Sequence, residues 1–252
     1  MLDGGASDEV CLQAAVANQT EWFARTAEAD GGVVRREEGV AWTSTSASSV
    51  FAFPRLSKEQ LDLLLPRFLD DASGAASASC WSLLPTQPPE LGAELHAAGF
   101  RDGWQAHWMA CALDGPLRTE APAGVRIGVS DERWRATDLP WDGADITSIR
   151  SRLTPDHPRR VWHVGAWRAE VPVGHGTLSV TVGPLGVAGI YDMGVAEPER
   201  RRGIGRALTA ALLELGRDAG CAYATLNATP DGERLYRTLG FRSVGVAQTW
   251  WR

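Results

Sequence analysis

The chain of 252 residues contains few of the residues that mark metalloproteins, disulfide-linked proteins and nucleic-acid-binding proteins. Its four cysteines are scattered and include no Cys-x-x-Cys pair, which argues against a zinc site and a disulfide framework. Its five histidines include no metal-spaced pair. Lys58 is the only lysine among 25 basic residues, and the formal net charge is −6. We therefore expect no bound metal and no nucleic-acid partner, because nucleic acid requires a basic surface.

Long apolar runs are also missing. No stretch approaches the roughly 20 apolar residues that span a membrane, and the first residues lack the basic start and apolar segment of a signal peptide. We therefore expect no membrane partner and a reducing, cytoplasmic location. Hydrophobic residues nevertheless make up 44% of the chain, as is typical of a globular protein with a sizeable core.

The most informative segment is a basic, glycine-containing turn between a predicted strand at 187–195 and a predicted helix. It reads Arg200-Arg201-Arg202-Gly203-Ile204-Gly205, and Gly220 supplies a stop signal for the helix. The helix has one apolar face with a period of 3.6, formed by Ile204, Ala207, Leu208, Ala211, Leu212 and Leu215. Because a helix start exposes unpaired N–H groups, and glycine permits close approach, this turn is suited to a phosphate ligand.

The spacing identifies which kind of phosphate loop this is. No Gly-Lys-Ser or Gly-Lys-Thr follows, and Leu208 occupies the third glycine position of Gly-x-Gly-x-x-Gly. The segment matches Arg/Gln-x-x-Gly-x-Gly/Ala, and in this it resembles the pyrophosphate loop of the GNAT superfamily of acyl-CoA-dependent N-acyltransferases. A plain basic helix start would show the same six residues. A second motif at 228–241 agrees, because Leu235-Tyr236 followed by Leu239-Gly240-Phe241 resembles the end of a GNAT domain. The resemblance covers roughly 125–252, about half of the chain.

The two halves of the chain share a pattern on either side of a Pro- and Gly-containing linker at 113–123. Gly-Phe-Arg ends a helix at 99–101 and again at 240–242. We therefore predict an α/β (α+β) GNAT fold in two tandem domains, each a mixed, mostly antiparallel twisted sheet flanked by helices. Residues 1–112 form a degenerate copy that does not bind CoA well, since Leu95 stands in place of Tyr236 and the glycine loop is missing; residues 124–252 form the N-acyltransferase domain. Alternatively, the Gly-Phe repeat is coincidence and the first half is another α+β domain.

The resemblance implies acetyl-CoA, or another acyl-CoA, as co-substrate. The pantetheine arm would lie along the strand that precedes the loop, and alternation along that strand places Tyr191, Met193 and Val195 on one face. The predicted cofactor-binding residues are Met193, Gly194, Val195, Arg200, Arg201, Arg202, Gly203, Ile204, Gly205 and Arg206.

Acyl transfer from a thioester to an amine needs a neutral amine and a thiolate that is able to leave. By resemblance, Tyr236 would protonate the leaving sulfur or donate a hydrogen bond to it, although a Tyr that only packs would look the same. Asp192 would act as the base or grip the amine, unless it is a solvated strand residue. Glu197 and Glu199 are interpreted as exposed loop carboxylates, with Glu197 the second choice for the base.

The acceptor site is predicted near Trp134 and Trp141, which flank a loop with three Asp residues. An aromatic and acidic wall suits a cationic amine, although a charged loop beside one buried Trp would give the same pattern. The sequence therefore predicts direct transfer of an acetyl or short acyl group from CoA to a primary amine on a small molecule or peptide. A non-catalytic CoA-binding regulator or partner-binding protein is the alternative. A homodimer is compatible with the sequence.

Overall fold

A computed structural model describes residues 5–115, 120–130 and 158–252. The chain divides into two compact units. The glycine-loop unit comprises Met1–Asn18 and Met109–Val244, and the companion unit comprises Gln19–Trp108 and Gly245–Arg252. The linker predicted at 113–123 is based on the sequence pattern of the two halves. The contact-based units do not test it, so it stays a prediction.

The described residues form the following elements in chain order. They are α1 (Asp8–Ala29), β1 (Val33–Glu37), β2 (Val40–Ser44), β3 (Ser49–Ala52), α2 (Lys58–Asp71), β4 (Ala78–Leu83), α3 (Leu91–Ala97), β5 (Arg101–Ala112), β6 (Val125–Val129), β7 (Val161–Arg168), β8 (Val171–Val180), β9 (Ala188–Val195), a 3-10 turn (Glu197–Glu199), α4 (Ile204–Asp218), β10 (Tyr223–Ala228), α5 (Pro230–Thr238) and β11 (Arg242–Trp251).

The glycine-loop unit is built on a mixed sheet in the order β5-β10-β9-β8-β7-β6. Strands β6 to β9 pair antiparallel, and β9 pairs parallel with β10. A parallel pair requires a crossover, and α4 provides it. The apolar face of α4 buries Ile204, Leu208 and Leu212 in the core of this unit. Close packing against the sheet requires Gly216, because a Cβ there would lie 2.7 Å from that of Ala188. The predicted helix is confirmed by these contacts.

The first part of α1 is fixed to the hairpin formed by β8 and β9. The buried amide of Asn18 donates to the carbonyls of Ser179 and Val187 and to the Thr181 hydroxyl, at 3.0 to 3.2 Å. Its oxygen accepts a hydrogen bond from the Tyr191 hydroxyl. A side chain at Gly189 would overlap the Asn18 amide, so glycine is needed for this approach. The Asn18 amide therefore satisfies its hydrogen-bonding capacity inside the glycine-loop unit.

The described residues of the companion unit follow a similar order, with three strands before the crossover helix where the glycine-loop unit has four. Its sheet runs β1-β2-β3-β4-β11, with β3 and β4 parallel and the other described pairs antiparallel. Helix α2 joins the parallel pair and buries Leu61, Leu64, Leu65 and Phe68. The predicted mixed, mostly antiparallel sheets flanked by helices are therefore present in both units. No helix among the described residues is long and apolar enough to cross a membrane.

Candidate active site

The glycine loop leaves β9 through the 3-10 turn and enters α4 by way of two left-handed residues. Arg201 has φ of 59° and Gly203 has φ of 86°, a region that favours glycine. The Arg200 Nε donates to the Val195 carbonyl at 3.1 Å, which ties the start of the loop to the end of β9. Because Arg200, Arg201, Arg202 and Arg206 are all exposed, their guanidinium groups are accessible to an anion.

The start of α4 lacks the side-chain cap that closes the corresponding helix of the companion unit. Gly203 is the N-cap of α4, makes no side-chain cap, and is followed by no acidic residue in the first turn. By contrast, Ser57 and Gln60 form a reciprocal capping box at the start of α2. A cap occupies the backbone N–H groups that would otherwise bind an anion. The N–H groups at the start of α4 are therefore left for a ligand, and those at the start of α2 are not.

Strands β9 and β10 pair over only part of their length. The parallel pairs are Ala224 with Ala188 and Thr225 with Gly189, both at the beginning of the strands. In the companion unit, all four residues of β3 pair with β4, and the Phe53 N–H donates to the Trp81 carbonyl at 2.7 Å beyond them. The register of β9 with β10 therefore ends at Gly189, whereas β3 of the companion unit pairs with β4 over all four of its residues.

A β-bulge in β9 interrupts the strand at Asp192. Thr177 pairs with Tyr191 and His175 pairs with Gly194, so that two residues of β9 lie opposite one residue of β8. Asp192 is exposed and has φ of 52°. The prediction that Tyr191, Met193 and Val195 share one face is therefore wrong. Tyr191 contacts Asn18, whereas Met193 lies against the core beside α4, because a Cβ on Gly176 would meet both the Met193 sulfur and Leu212.

Tyr236 lies on α5, the helix in which the preceding residue, Leu235, reaches the loop. A Cβ on Gly205 would be 3.3 Å from Leu235 and 3.7 Å from Val195, so the loop, β9 and the helix that carries Tyr236 converge. The Tyr236 ring packs edge-on against Phe241, with centroids 5.7 Å apart. Burial raises the pKa of Tyr236 to about 12. The phenol is therefore protonated at neutral pH and can donate a hydrogen bond.

An ion pair beside the loop is the feature that sequence reasoning missed. Glu199, interpreted above as an exposed loop carboxylate, has a side chain only 15% exposed. The guanidinium of Arg168, at the end of β7, holds it through two hydrogen bonds of 3.1 Å. No local pattern indicates this contact, because the two residues are 31 positions apart and belong to different elements.

The structure also brings two histidines into contact. His163 Nε2 and His175 Nδ1 are 3.4 Å apart, and both rings are buried. Burial lowers the pKa of His163 to about 3, with a contribution from His175, and lowers the pKa of His175 to about 4. Both rings are thus neutral at pH 7. In the described part of the chain, no group of three or more His, Cys, Asp or Glu residues is arranged to hold a metal. The predicted acceptor residues Trp134 and Trp141 lie outside the described residues.

Comparison with known proteins finds a family match and several structures with a similar fold. Residues 127–241 match the model of the acetyltransferase (GNAT) family. No curated protein matches the sequence at a significant level. Several solved structures match nearly the whole chain at low identity, which shows the shared fold. A GCN5-related N-acetyltransferase from Kribbella flavida is 18% identical with a TM-score of 0.62, covering 94% of this chain and 93% of its own.

Two further structures cover the chain to a similar extent. A tandem GNAT protein from the clavulanic acid biosynthesis pathway is 15% identical with a TM-score of 0.60, covering 95% of both chains. A GCN5-related N-acetyltransferase from Sphaerobacter thermophilus is 17% identical with a TM-score of 0.58, covering 96% of this chain and 93% of its own. The family match supports acetyl transfer from acetyl-CoA in general terms. Residues 127–241 thus match the acetyltransferase (GNAT) family, and the chain shares the fold of a tandem GNAT protein.

Proposed function

We propose that the glycine-loop unit transfers an acetyl or short acyl group from acyl-CoA to a primary amine by direct attack of the amine on the thioester. The observation that carries the proposal is the convergence of three features. These are the uncapped start of α4, the limited pairing of β9 with β10, and the approach of α5, which carries Tyr236, to the loop through Leu235. Together they provide a phosphate site, an extended backbone and a hydrogen-bond donor.

The phosphates of acyl-CoA are assigned to the loop from Arg200 to Gly205, with Arg206 beside it. The N–H groups at the start of α4 and the positive end of the helix dipole favour an anion there. Arg201 and Arg202 are exposed and add positive charge. The pantetheine arm is assigned to the backbone of Met193, Gly194 and Val195, where β9 is not paired with β10.

Tyr236 is assigned to the leaving sulfur as a hydrogen-bond donor. Its pKa is raised to about 12 by burial, whereas a thiol has a pKa of about 8.5. Complete proton transfer from the phenol to the thiolate would therefore be unfavourable by roughly 5 kcal/mol. A hydrogen bond to the developing thiolate requires no such transfer, and a bond to a charged acceptor contributes about 1.5–3 kcal/mol.

Asp192 is assigned to the amine. An amine with a pKa of about 10.4 is neutral in only about one molecule in 10³ at pH 7, so removal of its proton is part of the reaction. The bulge presents Asp192 at an exposed position in the strand that leads into the loop. There the carboxylate would hold the cationic amine and accept its proton, directly or through water.

The companion unit is proposed to bind no acyl-CoA. The capping box formed by Ser57 and Gln60 occupies the start of α2, and β3 pairs with β4 along its whole length. Leu95, in the position equivalent to Tyr236, is fully buried and has no hydrogen-bonding group. One acyl-CoA per chain is therefore expected.

The experiment that tests the proposal is thiol release from acetyl-CoA across a panel of primary amines. The panel contains aliphatic amines, amino sugars, amino acids and peptides. We expect amine-dependent release by the wild type and none by the double variant Gly203→Val/Gly205→Val. If acetyl-CoA binds but every amine class fails to release thiol, the result contradicts the catalytic proposal and supports a non-catalytic CoA-binding regulator.

A further inference from the structure

Glu199 places a carboxylate immediately before a loop that is proposed to bind a polyanion. It is the last residue of the 3-10 turn, and Arg200 follows it. Its side chain is 15% exposed. A partly buried carboxylate next to a phosphate site disfavours phosphate binding, unless a cation compensates its charge.

Arg168 supplies that compensation through a two-pronged contact. Its Nε donates to one Glu199 oxygen and its Nη2 to the other, both at 3.1 Å. Its Nη1 donates to the Ala123 carbonyl at 3.2 Å. One guanidinium thus joins the β7–β8 hairpin, the segment before β6 and the turn that begins the loop. The same segment before β6 reaches the loop directly, since a Cβ on Gly203 would lie 3.4 Å from Pro122.

Arg202 is the second cation near this carboxylate. Its Nη1 lies 3.5 Å from the Glu199 oxygen that Arg168 also contacts. Because the Arg202 side chain is 59% exposed, its guanidinium can turn either toward Glu199 or toward a ligand. While Arg168 pairs with Glu199, it offsets the negative charge of the carboxylate, and the attraction of Glu199 for Arg202 is weak. Without Arg168, the attraction of Glu199 for Arg202 becomes stronger.

We propose that Arg168 is a positioning residue for the phosphate loop, acting through Glu199. It neutralises Glu199, so that Arg202 is available to the phosphates of acyl-CoA. The inference rests on the proposed function, because it assigns the loop to acyl-CoA. It adds a residue that lies outside the loop motif and 31 positions from Glu199 in sequence.

The test is a double-variant cycle measured by isothermal titration with acetyl-CoA. Arg168→Gln leaves Glu199 without its main partner, and the dissociation constant is expected to rise about tenfold. Arg168→Gln/Glu199→Gln removes the carboxylate as well, and the constant is expected to return to within about threefold of the wild type. A purely structural role predicts no such rescue, because the double variant also lacks the bridge.

The matched control is the ion pair of Arg126 and Glu170 in the same unit. Arg126 Nη2 lies 3.3 Å from the Glu170 Oε2. Arg126→Gln should leave the acetyl-CoA affinity unchanged. Arg168→Lys, which keeps the charge and loses the two-pronged geometry, should weaken binding less than Arg168→Gln. Arg168→Gln should weaken the binding of 3′-dephospho-CoA by the same factor as that of acetyl-CoA, since the loop is assigned to the pyrophosphate.

The outcomes separate this inference from the proposed function. If the wild type does not bind acetyl-CoA, the proposed function fails. If the wild type binds and Arg168→Gln binds equally well, or if the double variant shows no recovery, the role of Arg168 is refuted while the proposed function stands. Should Arg168→Gln fail to fold, Glu199→Gln and Arg168→Lys decide the question. Glu199→Gln is expected to bind at least as well as the wild type, and weaker binding would overturn the inference.

Discussion

Because the backbone at Gly203 is left-handed, the single substitution Gly203→Ala tests whether the loop binds the phosphates of acyl-CoA. With φ of 86°, Gly203 occupies a conformation that costs about 1–2 kcal/mol for a residue with a Cβ. The methyl group of Gly203→Ala has space, because its nearest neighbour would be Pro122 at 3.4 Å. The cost of Gly203→Ala is therefore backbone strain and not steric overlap. The loop can relieve this strain only by rotating its backbone, which turns its N–H groups away from the phosphate. Loss of one hydrogen bond to a charged phosphate, about 1.5–3 kcal/mol, weakens binding about 10- to 150-fold.

The assay compares acetyl-CoA affinity by titration with stability by urea unfolding. Gly183→Ala is the matched control, since Gly183 also has positive φ, at 97°, and a methyl group there would meet no atom within 4 Å. Both variants should lose about 1–2 kcal/mol of stability, but only Gly203→Ala should lose affinity. Equal affinity in the two variants would refute the reasoning. The stronger change Gly203→Val/Gly205→Val should abolish binding, because a branched side chain at 205 would overlap Leu235, 3.3 Å from the Cβ position.

Three further predictions follow from buried groups of the glycine-loop unit. Tyr236→Phe keeps the packing on Phe241 and removes the donor, so turnover should fall about 10- to 150-fold while acetyl-CoA affinity changes little; unchanged turnover in the thiol-release assay would argue against the donor role. Asn18→Ala leaves the Tyr191 hydroxyl and two carbonyls without their amide partner, so urea unfolding should show a loss of about 2–4 kcal/mol; Tyr191→Phe should cost less, and a neutral Asn18→Ala would contradict the network. The third concerns pH. Burial lowers the pKa of His163 and His175 to about 3 and about 4. The unfolded chain therefore binds more protons than the folded chain below pH 6.5. The stability that is present above that pH is lost as pH falls toward 4, by up to about 1.4 kcal/mol per pH unit for each histidine. His175→Gln should show a shallower loss, and an equal slope would exclude the pair as its cause.

Local periodicity predicts the elements on either side of the glycine loop. The spacing of Ile204, Leu208 and Leu212 indicates a helix face, and the structure buries all three residues in α4. Glycine at 203 precedes that helix and adopts the left-handed conformation that the loop requires. These features depend on residues a few positions apart, so the sequence contains the information needed to predict them.

Contacts between distant segments account for what the sequence does not predict. Strict alternation misplaces Met193, because the bulge at Asp192 depends on pairing with β8 and not on the residues of β9 alone. Glu199 looks like an exposed carboxylate in its own turn, and only the fold brings Arg168 to it. The contact of Asn18 with Tyr191 joins residues 173 positions apart. Such contacts follow from the arrangement of the sheet, which no local pattern specifies.

The measurement that tests the central claim most directly is isothermal titration of the wild-type chain with acetyl-CoA. The account predicts one site per chain with micromolar affinity, which depends on salt because the loop binds phosphate. Two sites per chain would contradict the proposal that the companion unit binds no acyl-CoA. The absence of binding would contradict the assignment of the Arg200–Gly205 loop and with it the proposed acyl transfer.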